Sequence, residues 1–284
     1  MIPNLRPTAI LLAGLTWSMT TCAQAPETLF EPYAEVLQRH VVEHDLDGGG
    51  LVSSFDYAAA MASETSRELI AAQRRRLARF DPDGLDTRES AVAFWINAYN
   101  FFMLAHLVDN PDDGAPVDSV KDYGSLFSPY RIFKRELFDV GGRNFALSEI
   151  ELDVLLGDDF EQRGWKDARV HFAVNCASVG CPALRDRPYT AGNLDDLLDE
   201  NTRRALATPL NLRFEDDSAW LTSLFDWYEG DFEQAAGSVR DFIAEHVDDE
   251  TRLKLEAAEQ IRHIDYDWQL NSPANISRWL ESNR

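Results

Sequence analysis

The sequence predicts an α+β fold that is mostly helical by residue count, with a helical N-terminal portion and a central apolar helix packed on an antiparallel sheet of hairpins. Three observations support this prediction. Apolar residues recur at helical spacing early in the chain, two pairs of turn-separated segments follow, and an alternating segment lies near the C-terminus. Helices first and hairpins afterwards indicate an α+β fold.

The first 25 residues predict a secretory signal peptide. Arg6 is the only charged residue among them, and residues 9–17 form an apolar run that is too short to be a stable membrane span. Small residues follow this run, so cleavage is expected after Ala23 or Ala25. The rest of the chain, residues 26–284, predicts a single α+β domain.

Export would deliver the mature chain to the periplasm or to the extracellular space. A lipid anchor on Cys22 is the less favoured alternative, because residues 19–21 match a lipobox poorly. No later segment is interpreted as long and apolar enough to cross a bilayer.

The chain is strongly acidic. It has 49 Asp and Glu residues against 27 Lys and Arg residues, a formal net charge of −22. A surface of this sign repels phosphate backbones and anionic lipids, so neither nucleic acid nor a membrane surface is expected as a partner. The predicted partner is an envelope peptide or a small molecule of unknown identity, and the oligomeric state cannot be read from the sequence.

Three helices are predicted in the N-terminal half, over residues 32–44, 63–79 and 86–108. A loop over residues 45–54 is expected after the first of them. Asp86 and Glu89 have the spacing of a capping box and are expected to begin the third helix. Because the third helix is apolar on nearly all sides, it should lie at the centre of the fold.

The second half predicts strands and shorter helices. Residues 131–147 are interpreted as a hairpin with Gly141-Gly142 at a primed turn, after which Ser148 and Glu151 cap a short helix. The remaining predicted elements are a helix from Thr190, a hairpin over residues 211–225, helices near residues 239–247 and 250–259, a strand over residues 264–270 and a last helix opened by Ser272 and Pro273.

The densest group of reactive side chains lies in residues 170–182, with the sequence Val-His-Phe-Ala-Val-Asn-Cys-Ala-Ser-Val-Gly-Cys-Pro. Cys176 and Cys181 lie five positions apart beside His171. A reactive thiolate needs a base or a positive field that lowers the thiol pKa, which His171 could supply. Neither strand nor helix spacing aligns His171 with Cys176, so Cys181 is its better partner.

Three states of Cys176 and Cys181 are left open by the sequence. An oxidising compartment and the slack of four intervening residues favour a disulfide. The neighbouring histidine and amides favour a reactive thiol, and inert buried thiols are the third state. No metal site is predicted, because two sulfurs and one histidine leave a tetrahedral zinc site short of a ligand, and no cofactor is predicted.

The central helix carries Trp95, Asn97 and Asn100 in its most apolar stretch. Asparagine is a poor helix former, and a buried amide without partners costs about 1–3 kcal/mol. The spacing of three puts Asn97 and Asn100 on one face of the helix. They are expected either to bind the backbone of a nearby loop, with residues 171–182 as the predicted contact, or to orient a histidine or stabilise an oxyanion.

Three segments together resemble the domain-of-unknown-function family 547. They are residues 93–100 (Ala-Phe-Trp-Ile-Asn-Ala-Tyr-Asn), residues 171–182 and residues 264–271, and the resemblance covers about residues 85–205. It implies a domain found in bacterial envelope proteins and in plant and animal proteins, without settled biochemistry. The layout is also similar to that of papain-like and transglutaminase-like thiol enzymes, which is a likeness of fold alone.

Two functions compete. The first is a cysteine-dependent hydrolase or acyltransferase that acts on an amide bond in the cell envelope. Its nucleophile would be Cys181 or Cys176, its base His171, and its orienting or oxyanion group Asn97 or Asn100.

The second function is that of a non-catalytic binding or structural protein of the envelope, in which Cys176 and Cys181 form a disulfide that locks a binding loop. Its candidate ligand contacts are Arg185 and Tyr189, just after the loop, and Trp95 on the central helix. The redox state of the two sulfurs distinguishes the two functions.

Overall fold

The computed structural model describes residues 26–125 and 127–283, so the predicted signal peptide, its cleavage sites and Cys22 lie outside the described residues. The predicted α+β class is confirmed, with helices accounting for most of the described elements. Twelve α-helices (α1–α12) and seven strands (β1–β7) are present in this part of the chain.

The N-terminal portion contains four helices and one hairpin. The helices are α1 (Pro26–Leu29), α2 (Glu31–His40), α3 (Tyr57–Ala62) and α4 (Glu64–Leu77). Strands β1 (Val41–Asp45) and β2 (Leu51–Phe55) pair antiparallel. The prediction of a helix to residue 44 and a loop over residues 45–54 is therefore wrong. The short turn Asp47–Gly49, with Gly48 and Gly49 at φ 82° and 89°, lets the chain reverse, and the flanking residues pair as strands.

Helix α5 (Arg88–Asp109) is the central helix, as predicted, and it packs against α3. Its cap differs from the prediction, because the side chain of Thr87 accepts a hydrogen bond from the backbone N–H of Ser90 and no Asp86–Glu89 capping box begins the helix. By length and composition α5 could cross a membrane, contrary to the sequence-based interpretation. However, 94% of the apolar 18-residue stretch of α5 is buried inside the protein, so α5 is a core helix here.

The middle of the chain has short elements. Two 3₁₀ helices, Val120–Tyr123 and Arg131–Lys134, precede the hairpin of β3 (Phe138–Val140) and β4 (Arg143–Phe145). Gly141 and Gly142 have φ values of 61° and 83°, which confirms the predicted primed turn.

A π-helix, Glu149–Leu155, follows β4 and packs on α5. Ser148 does not cap it, because the Ser148 hydroxyl donates to the carbonyl oxygen of Phe133 at 2.8 Å. The predicted cap of Ser148 and Glu151 is thus wrong. Glu151 instead points its carboxylate towards His171, as described below.

The C-terminal part combines helices with a mixed sheet. Its elements are α6 (Asp158–Gln162), the 3₁₀ helix Ala168–Phe172, α7 (Leu194–Leu206), β5 (Leu212–Glu215), β6 (Ser218–Thr222), α8 (Leu224–Trp227), α9 (Glu229–Ala236), α10 (Val239–His246), α11 (Asp249–Ala257), β7 (Gln260–Ile264) and α12 (Pro273–Ser282). The strand order is β5-β6-β7, with β5 and β6 antiparallel but β6 and β7 parallel. The predicted final helix is confirmed, with Ser272 as its N-cap.

The sheet differs from the prediction in two respects. The strands form three small sheets, one of them mixed, where one antiparallel sheet of hairpins was expected. The late strand occupies Gln260–Ile264 and not residues 264–270. Residues 267 and 269 instead accept backbone hydrogen bonds from Gly180 and Val179, so this segment pairs with the chain around the two cysteines and is not part of the sheet.

Two hydrophobic clusters meet at the 3₁₀ helix Ala168–Phe172. The larger cluster surrounds α5 and includes Val170. The smaller cluster, around the mixed sheet and α9 to α11, includes Ala168 and Phe172. His171 therefore lies at the junction of the two clusters, shortly before Cys176 and Cys181.

Candidate functional site

Cys176 and Cys181 are joined in a disulfide, with their Cα atoms 6.2 Å apart. Of the three states that the sequence leaves open, the disulfide is thus the one present. Asn175 holds the loop at both ends, because its amide nitrogen donates to the carbonyl oxygen of Pro182 at 2.8 Å and its amide oxygen accepts from the N–H of Ala177 at 2.9 Å. The disulfide and the Asn175 side chain close the segment that we name the cysteine loop, residues 175–182.

Asn100 on α5 binds the start of the cysteine loop. Its amide nitrogen donates to the carbonyl oxygen of Ala173 at 2.9 Å, and its amide oxygen accepts from the N–H of Asn175 at 2.7 Å. The predicted contact of one of the two asparagines with residues 171–182 is therefore confirmed for Asn100. Both of these hydrogen bonds go to backbone groups, so Asn100 positions the chain at the start of the loop.

Asn97 performs the same task one helical turn earlier. It donates to the carbonyl oxygen of Tyr189 at 2.6 Å and accepts from the Tyr189 N–H at 2.9 Å. These two bonds hold the chain after the cysteine loop against α5. Asn97 and Asn100 thus act together in positioning backbone, and both are buried.

The C-terminal segment covers the cysteine loop from the other side. The N–H of Val179 donates to the carbonyl oxygen of Gln269 at 2.8 Å, and the N–H of Asn271 donates to that of Ala177 at 3.0 Å. A Cβ at Gly180 would lie 3.1 Å from the backbone of Asp267, so a side chain there would press on this segment. The third segment of the family resemblance therefore acts as a partner of the second.

Hydroxyl groups surround the two sulfurs. The Tyr266 hydroxyl lies 3.3 Å from Cys176 Sγ and 3.1 Å from Cys181 Sγ. The Ser178 hydroxyl lies 3.1 Å and 3.5 Å from the same two atoms. The backbone N–H of Cys176 also donates to Cys181 Sγ at 2.9 Å. Cys181 is buried, whereas Cys176 is partly exposed.

His171 lies between two carboxylates. Its Nε2 is 2.9 Å from Asp231 Oδ2, and its Nδ1 is 3.6 Å from Glu151 Oε1. The ring stacks on Tyr228 with centroids 4.0 Å apart, and the side chain is fully buried. Lys166 Nζ approaches the other oxygen of Asp231 at 2.9 Å. Both ring nitrogens of His171 thus face carboxylates, and neither faces a sulfur.

The two carboxylates favour the protonated form of His171. Burial lowers the pKa of His171, but the hydrogen bond to Asp231 and the nearby carboxylate of Glu151 raise it by more, so the pKa lies above its ordinary value. Burial raises the pKa of Asp231, but His171 and Lys166 lower it by more, so the pKa is below its usual range. Burial, and then the charge of Glu151, also raises the pKa of Tyr99 and of Tyr228.

A cavity of about 300 Å³ opens beside these groups. The disulfide, His171 and Glu151 line it together with aromatic rings. Tyr99 is buried, whereas Tyr130 and Trp227 are exposed. We name the contacting rings of Tyr130, Trp227, Tyr266 and Trp268 the mouth of the cavity. A concave, mostly aromatic site with a few convergent polar groups is typical of small-molecule sites.

The mouth of the cavity is a cluster of contacting rings. Trp227 stacks on Trp268 with centroids 5.8 Å apart, and Tyr266 contacts both tryptophans at 5.0 and 4.7 Å. Lys121 Nζ lies 4.7 Å from the Trp268 ring centroid. Trp227 is 44% exposed, so part of its surface is free to contact a ligand.

The three residues predicted as ligand contacts lie outside this cavity. Trp95 packs against Phe145 in the core. Arg185 is buried in ion pairs with Glu43 and Glu200, each at 2.9 Å, because a buried guanidinium requires such partners. Tyr189 is buried as well, in the cluster around α5. The sequence predicted these residues as ligand contacts, whereas Arg185 and Tyr189 attach the chain after the cysteine loop to the fold and Trp95 packs in the core.

Several cavity residues were missed by sequence reasoning. Tyr99, Tyr266 and Trp268 lie inside the segments that carry the family resemblance, so their position there was an available signal. Glu151 was assigned to a helix cap. Asp231 is 60 residues from His171 and is one of 49 acidic residues, so the sequence holds no signal that singles it out.

Fold and site together define an α+β protein with an aromatic cavity built beside a disulfide-closed loop. Residues 82–205 match the family described as "Protein of unknown function, DUF547", in agreement with the predicted resemblance. The match contains Asn97, Asn100, Glu151, His171 and both cysteines of the loop. No curated protein and no solved structure matches the chain.

Proposed function

We propose that this protein binds a small molecule or a peptide side chain with a flat apolar body in the aromatic cavity, with the disulfide-closed cysteine loop as one wall. The observation that carries the proposal is the cavity of about 300 Å³. Aromatic rings line it together with the polar side chains of Glu151 and His171. Rings of this kind supply contact area, and the few polar groups orient the ligand.

The polar groups of the cavity favour one class of ligand. Glu151 lines the cavity with its carboxylate, and its phenol neighbours Tyr99 and Tyr228 are held neutral by their raised pKa values. A ligand that carries an N–H or O–H donor, or a positive charge, is therefore complementary to Glu151. An anionic ligand is disfavoured, because both ring nitrogens of His171 already face Asp231 and Glu151. The faces of Trp227 and Trp268 suit an aromatic or cationic group.

Three compounds that share a phenyl ring test the proposal, with tryptophan fluorescence as the readout. Phenethylammonium and 2-phenylethanol are expected to bind at least about tenfold more tightly than phenylacetate, because like charges at a site disfavour binding. In Glu151→Gln the difference in affinity between phenethylammonium and phenylacetate should become smaller. Asp153→Asn, an exposed acid on the same π-helix, is the matched control and should keep it. Absence of binding by all three compounds would contradict the proposal.

The cysteine-dependent hydrolase or acyltransferase stays a prediction with less support. A nucleophilic thiolate would require reduction of the disulfide between Cys176 and Cys181. Its base would have to be His171, whose ring nitrogens are directed at Asp231 and Glu151. An acyl-transfer mechanism would therefore need both a chemical change and a rotation of a buried ring.

We also propose that the mature chain acts outside the cytoplasm. The signal-like composition of residues 1–25 supports this, and a disulfide is typical of oxidising compartments. Intact-mass measurement of the protein from the envelope or secreted fraction is expected to find Gln24 or Pro26 at the N-terminus. A retained Met1 would contradict export, and an acylated Cys22 would establish the lipid anchor instead.

A further inference from the structure

The two sulfurs of the disulfide differ in access. Both cysteines line the cavity, but Cys176 is partly exposed, whereas Cys181 is buried, with 9% of its surface exposed. An external thiol that enters the cavity therefore reaches Cys176 Sγ more readily than Cys181 Sγ. Such a difference directs nucleophilic attack to one sulfur and makes the other the leaving group.

The two sulfurs also differ in one hydrogen-bond donor, because the backbone N–H of Cys176 donates to Cys181 Sγ, whereas the Tyr266 and Ser178 hydroxyls lie near both sulfurs. The N–H of Cys176 at 2.9 Å, the Tyr266 hydroxyl at 3.1 Å and the Ser178 hydroxyl at 3.5 Å all lie within hydrogen-bond distance of Cys181 Sγ. Sulfur in a disulfide is a weak acceptor, whereas a thiolate is charged and accepts strongly. These donors therefore stabilise a Cys181 thiolate much more than they stabilise the disulfide.

We propose that Cys176 and Cys181 form a redox-active pair that exchanges with thiols in the aromatic cavity, so that the protein is a thiol–disulfide oxidoreductase towards dithiol substrates with an apolar surface. Cys176 is the attacked sulfur and Cys181 the leaving group. This activity goes beyond ligand binding, and small thiols suffice to detect it.

The exchange balances in two steps. A substrate thiolate attacks Cys176 Sγ, a substrate–Cys176 bond forms, the bond between the two protein sulfurs breaks, and its electron pair leaves on Cys181 as a thiolate. The second thiol of the substrate then attacks the mixed disulfide and releases Cys176. The substrate is oxidised to a disulfide by loss of two electrons, the protein pair is reduced by the same two, and the two substrate protons pass through solvent to the protein thiols.

Trapping of the mixed disulfide tests which sulfur is attacked. Each single-cysteine variant is incubated with oxidised glutathione, and the adduct is measured by intact mass. Cys181→Ser keeps the accessible sulfur and is expected to form the adduct at least about tenfold faster than Cys176→Ser, because thiol exchange depends on access. Equal rates would contradict the assigned roles.

A second measurement tests the donors around Cys181. The rate of reduction by dithiothreitol is followed by alkylation and mass measurement. Tyr266→Phe is expected to slow reduction by about tenfold, the effect of one lost hydrogen bond to a charged group. Tyr189→Phe removes a buried hydroxyl outside the cavity and should reduce at the wild-type rate. If Tyr266→Phe fails to fold, Ser178→Ala replaces it and should show slower reduction.

Wild-type rates in both Tyr266→Phe and Ser178→Ala would overturn the proposal, as would a disulfide that millimolar dithiothreitol leaves intact in the folded protein. The phenyl-ligand series contains no thiol. Its failure would therefore refute the proposed binding function without affecting these exchange rates, and the reverse also holds.

Discussion

Replacing His171 by phenylalanine is expected to lower the free energy of unfolding by about 3–5 kcal/mol, the usual cost of removing one partner from a buried ion pair. The His171 side chain is fully buried, and its Nε2 lies 2.9 Å from Asp231 Oδ2. Phenylalanine preserves the ring that stacks on Tyr228 but leaves Asp231 and Glu151 without the imidazolium. Urea unfolding followed by far-UV circular dichroism measures the loss.

His263→Phe is the matched control, because His263 is exposed on β7. Its stability should stay within about 0.5 kcal/mol of wild type. A loss below about 1 kcal/mol in His171→Phe would mean that the carboxylates on either side of His171 do not depend on its charge.

The stability lost in His171→Phe is expected to depend on pH. Burial lowers the pKa of His171 and the carboxylates of Asp231 and Glu151 raise it by more, so the folded-state pKa exceeds the unfolded value of 6.5. The stability difference between wild type and His171→Phe should therefore be full just below pH 6.5 and should fall as the pH rises through the folded-state pKa. The opposite trend would refute the assigned environment.

Other histidines affect the pH dependence of stability in the opposite direction. Burial lowers the pKa of His40 and of His44, and it lowers that of His106 to about 4. Their contributions are lost as the pH falls, since the unfolded chain then binds more protons. Wild type and His171→Phe share these groups, so the difference between the two proteins reports on His171 and the carboxylates that it contacts.

Replacing Asn100 by leucine is the second large expected effect. The change leaves the carbonyl oxygen of Ala173 and the N–H of Asn175 without their partner at the start of the cysteine loop. Each unpaired buried group costs about 1–3 kcal/mol, so the free energy of unfolding should fall by about 2–5 kcal/mol. Chemical denaturation measures this loss, and binding of phenethylammonium should weaken with it.

Asn144→Leu, on an exposed position of β4, is the control for the change of residue type and should alter stability by no more than about 0.5 kcal/mol. If Asn100→Leu were as stable as this control, the buried amide would not be what holds the cysteine loop on α5.

Local signals predicted much of the fold. The glycine pair 141–142, the apolar α5 and the Ser272 N-cap each carry their information within a few residues, and all three predictions are confirmed. The parallel pairing of β6 with β7 joins residues about forty positions apart, which no local pattern specifies. Strand β1 was missed because it directly continues a helical pattern.

The site was predicted in part for the same reason. Asn100 and the two cysteines are unusual residues in apolar surroundings, so their contacts could be expected before the fold was known. Glu151 and Asp231 are ordinary acidic residues in an acidic chain, and only folding brings them to His171. The rings of Trp227 and Trp268 come together through tertiary structure alone.

The cavity is lined by residues inside the matched segment and by residues beyond it. Residues 82–205 contribute the cysteine loop, His171 and Glu151, whereas both tryptophans of the mouth lie beyond the matched segment. A change at the 44% exposed Trp227 therefore alters the entrance while leaving the loop, His171 and Glu151 in place. The selectivity of the cavity for a ligand can thus be changed at the entrance without rebuilding the matched segment.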